Sequence, residues 1–189
     1  MIVYLVHGFN VKDKGQGTTD KLVPVLAEKG DYQPVEIDYG FFGLFRVRVC
    51  NTGTARILAS IVEPGSIAIG HSNGCAVIQQ AASYGAKFRH VTMINPALDR
   101  DAVLEGADTV NVWHSPTDVP TRVSRVLWRH PWGAMGRRGP SFTDPRYKVF
   151  NEDHIFKDKV GHSGVFEYRH RLRRIVSEIE DRLFPDVPV

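Results

Sequence analysis

Four short apolar runs constrain this chain more than any other feature. They are Ile2–Val6, residues 66–70, residues 90–95 and residues 109–113. Ile2–Val6 is β-branched and continuously apolar, the pattern of a strand buried on both faces, and the other three read as further strands. Between them lie segments with helical spacing. Residues 18–29 place Leu22, Val25 and Leu26 on one face, with Asp20 as an N-cap, Pro24 confined to the first turn and Gly30 as a stop. Residues 33–39 read as a further strand. Residues 54–62 read as a helix ended by Glu63-Pro64-Gly65, and 75–84 as a helix of small apolar residues. Residues 147–150 are a weaker strand. Residues 165–183 form a closing helix with Tyr168, Leu172, Ile175, Val176, Ile179 and Leu183 on one face. Strands alternating with helices through short turns predict an α/β fold: a mostly parallel sheet of about six strands, helices on both faces. At 189 residues the chain is expected to form one domain.

One irregular stretch interrupts this order, an insertion over 119–146 rich in Trp, Arg, Pro and Gly. Loops of that length inside a compact domain are commonly functional, so the insertion is a candidate lid. From 119 to 150 the chain carries seven Arg and Lys against the single Asp144, within a net charge of +3. Such a patch attracts anionic groups. A nucleic-acid partner is not expected. Arg169, Arg171, Arg173 and Arg174 are followed by Glu178, Glu180 and Asp181, which reads as a solvated helix face.

The two cysteines, Cys50 and Cys75, have no metal-ligand spacing and fit a reducing compartment. No apolar run approaches the roughly 20 residues that span a bilayer, and no export leader is recognisable. A cytoplasmic protein without a transmembrane segment is the expectation.

The chemistry concentrates at three turns. The strand at 66–70 runs into Gly70-His71-Ser72-Asn73-Gly74 and then directly into a helix. A serine at such a turn projects Oγ from the carboxyl edge of the sheet. Gly70 and Gly74 leave room where strand and helix approach. The Asn73 amide then opens the helix, where the dipole favours an oxyanion. His7-Gly8-Phe9-Asn10 leaves the first strand at the same edge. The Phe9 N–H is its candidate second oxyanion donor, with Asn10 next, and the His7 ring is expected only to hydrogen-bond within the loop. A serine nucleophile needs an imidazole base, and the imidazole needs a carboxylate. Asp118, in the turn after 109–113, is the preferred acid over Asp99 and Asp101. His162, in Gly161-His162-Ser163-Gly164, is the preferred base over His154.

Together these motifs resemble the α/β-hydrolase superfamily over nearly the whole chain, residues 2–183. The order serine, aspartate, histidine is also that fold's order. The resemblance implies Ser72 as nucleophile, Asp118 as acid, His162 as base, and the Phe9 and Asn73 amides as oxyanion hole. It implies a minimal member, beginning at the family's third strand, like its small lipases and esterases. The insertion follows the acid rather than the preceding strand, where family lids sit. The expected activity is hydrolysis of a carboxylic ester through an acyl-enzyme, needing neither metal nor organic cofactor. The expected partner is a small or lipid-like ester. Phe41, Phe42, Leu44 and Phe45 are a candidate acyl pocket, and Trp128 and Trp132 could cover it. A thioesterase, amidase or polyester depolymerase would use the same machinery. A binding protein on this fold would need no intact serine or histidine.

Overall fold

The structure, a computed structural model, describes residues 1–8, 15–38, 47–118 and 133–185. Six strands form one sheet: β1 (Ile2–Val6), β2 (Gln33–Ile37), β3 (Ser66–His71), β4 (Phe88–Ile94), β5 (Ala107–His114) and β6 (Tyr147–Asn151). Their order across the sheet is β2-β1-β3-β4-β5-β6, and every neighbouring pair is parallel. The weakly patterned 147–150 segment is a genuine strand, paired with β5 from Val110–Tyr147 to His114–Asn151.

Both faces of the sheet are covered, which explains the unbroken apolar runs. Along β1, Val3 and Leu5 join one core while Tyr4 and Val6 join the other. The first core is closed by α1 (Val23–Ala27) and by the long helix near the C-terminus, α6 (Arg169–Leu183), through Val25, Leu26, Ile175, Val176 and Ile179. The second is closed by α2 (Val47–Ile61) and α3 (Asn73–Ser83), through Ala55, Leu58, Val77, Ile78 and Ala81. The small residues of α3 allow its backbone to lie close on the sheet. A buried Val or Leu on either face contributes about 1.5–3 kcal/mol relative to exposure. Tyr4 also donates its hydroxyl to the Ile61 carbonyl at 2.7 Å, capping the end of α2.

Most strand and helix ends lie within about two residues of expectation, and three segments differ more. The 18–29 segment is a 3-10 turn, Thr19–Leu22, followed by the short α1, because Pro24 can occupy only a first turn. Asp20 therefore lies within the 3-10 turn rather than capping a helix. Helix α2 begins at Val47, seven residues before the expected start, in a stretch whose alternating Val and Arg conceal helical periodicity. Tyr168 is half exposed and precedes α6 instead of lying on its buried face, because a 3-10 turn, Gly164–Glu167, comes first.

Two short helices complete the chain, α4 (Met135–Arg138) and α5 (Glu152–Phe156). The described part of the basic insertion packs tightly on the body. Met135 is fully buried and donates its N–H to the Leu98 carbonyl at 3.0 Å. A Cβ on Gly133 would lie 2.1 Å from that same carbonyl oxygen. Residues 119–132, with Trp128 and Trp132, lie outside the described residues. No described helix is long and apolar enough to cross a membrane.

The sheet order positions the site. β1 has β2 on one side and β3 on the other, so the connections leaving β1 and β3 diverge at the carboxyl edge. A crevice opens where strand order reverses in this way. His7-Gly8 and Ser72 both lie at that point.

Candidate active site

Ser72 connects β3 to α3 with φ 53° and ψ −118°, a conformation that L-residues adopt only under strain. The surroundings hold it there. Its N–H donates to the Ile94 carbonyl at 2.9 Å, and its carbonyl accepts from Cys75 and Ala97, both at 3.1 Å. Gly74 is required because a Cβ there would lie 2.1 Å from the Val6 carbonyl oxygen and 2.5 Å from that of His7. At Gly70 a Cβ would meet Ile78 Cδ1 at 2.7 Å and the Cys75 nitrogen at 3.0 Å. Gly8 lies against the turn itself, its missing Cβ 3.3 Å from that of Ser72.

The hydroxyl so presented is 2.9 Å from His162 Nε2, and His162 Nδ1 is 2.9 Å from Asp118 Oδ2. Three residues separated by up to 90 positions thus form one hydrogen-bonded line. The Asp118 side chain is fully buried, and a buried charge needs such a partner. The alternatives lie elsewhere: Asp99 and Asp101 are exposed, and His154 is exposed on α5. His7 bonds the neighbouring Gly8 carbonyl at 2.8 Å, as expected, and lies 3.7 Å from Asp38.

Asn73 begins α3, so its amide is the first of the helix beside Ser72. Its side chain makes a reciprocal amide pair with buried Asn51 of α2, at 2.9 and 2.8 Å. That pair fixes the turn against α2, and nothing in the local sequence around Asn51 signals it. Phe9 and Asn10 lie outside the described residues, as do Phe41, Phe42, Leu44 and Phe45.

The sequence pattern also missed what holds the histidine and aspartate loops together. Asp153 accepts hydrogen bonds from Ser115 Oγ (2.6 Å), Thr117 Oγ1 (2.9 Å) and the Val160 N–H (3.1 Å). The Gly161 N–H in turn donates to Ser115 Oγ at 2.9 Å. Asp153 therefore joins the turn ending in Asp118 to the turn carrying His162. Ser, Thr and Asp after strands read locally as turn residues, so this role appears only in three dimensions.

His71, next to Ser72, packs against His162 and is buried. The two rings are 4.9 Å apart, and Phe166 packs edge-on against His71 at 5.0 Å. Burial pushes the His71 pKa down to about 3, with the nearby His162 adding to the effect. His71 is therefore neutral at physiological pH, and its Nε2–H donates to the His162 backbone carbonyl at 2.9 Å. Among the described residues no three His, Cys, Asp or Glu side chains converge as a metal-ligand set.

No family model matches the sequence, and no curated protein does. Solved structures match it throughout, and the chain has the α/β-hydrolase fold. Alpha/beta hydrolase domain-containing protein 10 from mouse aligns at TM-score 0.65 and 13% identity, over 96% of this chain and 89% of its own. The monoacylglycerol lipase of Paleococcus ferrophilus aligns at 0.62 and 14%, over 96% and 94%. An alpha/beta hydrolase enzyme from a sediment metagenome of the Mar Chica lagoon aligns at 0.63 and 10%, over 97% and 91%.

Proposed function

We propose that this protein is a serine hydrolase that cleaves carboxylic esters through an acyl-enzyme. The carrying observation is the Ser72–His162–Asp118 line, with both contacts at 2.9 Å and the serine at a strained strand-to-helix turn. A structural turn would need the glycines but would not need that line.

In this reading Ser72 Oγ attacks the ester carbonyl carbon as His162 Nε2 takes its proton. The carbonyl π-electrons move to oxygen, giving an oxyanion at the N-terminus of α3. The Asn73 N–H and the helix dipole favour charge there, with the Phe9 N–H as the proposed second donor. Collapse of the intermediate expels the alcohol, which receives the proton from His162. Water then repeats the sequence against the acyl-enzyme and releases the acid. Asp118 holds Nδ1–H, keeping Nε2 free to accept a proton and stabilising the imidazolium. Asp153 and His71 keep both loops in register, and errors of about 1 Å in such placement can cost about 100-fold.

Support for an ester, rather than an amide, is that a monoacylglycerol lipase shares this fold over nearly its full length. A panel of p-nitrophenyl esters of increasing acyl length tests the assignment. Wild type is expected to turn over at least the short esters, with kcat/KM rising and then falling as the chain outgrows the site. Turnover of thioesters or anilides with every ester inert would move the assignment to another acyl bond.

A further inference from the structure

The backbone carbonyl of His162 receives two hydrogen bonds, and the second introduces a pair of residues with no role in the steps above. It comes from Asn95 Nδ2 at 3.0 Å. Asn95 follows β4 and is fully buried in the left-handed region at φ 45°, which Asn tolerates better than most residues. Its Oδ1 accepts the Ser115 N–H at 3.0 Å, so one carboxamide touches both the loop of Asp118 and the loop of His162. Its Nδ2 also lies 3.2 Å from the Gly161 carbonyl and 3.3 Å from each carboxyl oxygen of Glu152.

That arrangement admits one orientation of the amide. Turning it over would set Oδ1 against the oxygens of His162, Gly161 and Glu152, and Nδ2 against the Ser115 N–H. Glu152 is itself fully buried at the start of α5, with Asp153 beside it, Asp118 on the facing loop and Arg171 on α6. Arg171 is already engaged by Asp158 at 2.6 Å and the Gly164 carbonyl at 3.0 Å.

We propose that Asn95 and Glu152 are positioning residues for His162, and that Glu152 acts as a neutral carboxylic acid. An ionised carboxylate there would be a buried charge facing Asp118 and Asp153. A neutral one leaves Asp118 as the negative partner of His162. Burial, reinforced by Asp153 and Asp118, raises the Glu152 pKa from 4.5 to about 8 despite the opposing pull of the Asn95 hydrogen bond and Arg171. The kinetic part of this proposal rests on the serine-hydrolase reading; the charge state of Glu152 does not.

The linkage to stability has a definite sign. Between pH 4.5 and about 8 the unfolded chain has released the Glu152 proton while the folded chain keeps it. Folding stability therefore falls as pH rises through that window. The experiment compares Glu152→Gln, Glu152→Ala and Asn95→Ala with wild type in ester kinetics, in thermal melts across that pH range, and by infrared difference spectroscopy. Glu152→Ala and Asn95→Ala are expected to lower kcat about ten-fold or more with KM changed far less, and Glu152→Gln to recover most of the Glu152→Ala loss. The Gln variant should also lack the decline in melting temperature expected of wild type between pH 4.5 and about 8. A carboxylic C=O band, present in wild type near neutral pH and absent from Glu152→Gln, completes the expectation.

A Gln variant as slow as the Ala variant, or an Asn95→Ala enzyme with wild-type kcat, overturns the positioning role. If wild type hydrolyses no ester, the hydrolase reading fails first. The infrared band and the pH slope still decide the state of Glu152, and their absence overturns it. The same two measurements decide the case if Glu152→Ala does not fold.

Discussion

Gly74→Ala is expected to destabilise the fold on the order of 4–5 kcal/mol, in the range reserved for severe steric or electrostatic damage. The added Cβ would lie 2.1 Å from the Val6 carbonyl oxygen and 2.5 Å from that of His7. Both obstacles are backbone, at the end of strand β1, so no rotamer change relieves them. Against a total stability of about 5–15 kcal/mol, the melting temperature should drop by about 10–20 °C, at 2–4 °C per kcal/mol for a chain of this size. Gly70→Ala should cost less, about 1–3 kcal/mol, because its closest obstacle is the end of the flexible Ile78 side chain. Gly53 gives the opposite sign. It lies exposed in α2 with nothing within 4 Å of its missing Cβ, so alanine there should stabilise by about 0.5–1 kcal/mol. Equal melting temperatures for the Gly74 and Gly53 variants would contradict the close approach of α3 to β1.

His162→Ala is expected to lower ester turnover by about 10⁴-fold or more, because nothing else in the line can take the Ser72 proton. Asp118→Asn should cost about 10³–10⁴-fold: its amide can donate to Nδ1 and so favours the tautomer with Nε2 protonated. The two losses should not add, since the residues act as a unit. Asp99→Asn and His154→Ala change exposed side chains and should leave turnover within about three-fold. A His154→Ala enzyme as impaired as His162→Ala would move the base to the neighbouring helix.

The parallel sheet was legible because its strands are covered on both faces, so burial wrote itself into unbroken apolar runs such as Ile2–Val6. The turn at Ser72 was legible for a related reason: close packing of α3 admits only glycine at 70 and 74, which leaves a visible pattern. Asp118 stood out because it follows a strand end and His162 because glycines flank it just before the last helix, and the structure brings both within one line to Ser72. Less was readable where roles depend on distant partners. Asn51, Asn95, Ser115, Thr117 and Asp153 pair across 20 to 67 positions, and each looks locally like a capping or turn residue. Glu152 is the clearest case, since glutamate is rarely buried and nothing near it in sequence predicts a fully buried carboxyl against Asn95. Helix α2 was misjudged at its start because Val47-Arg48-Val49 alternates like a strand edge.

Whether Ser72 is an activated nucleophile can be tested without any knowledge of the substrate. Folded wild-type protein is incubated with a fluorophosphonate probe, digested, and mapped by mass spectrometry. A single phosphonyl adduct is expected on the peptide carrying Ser72, lost in Ser72→Ala and strongly slowed in His162→Ala. Folded protein that takes up no probe, or takes it up equally in the Ser72→Ala variant, would contradict that role for Ser72.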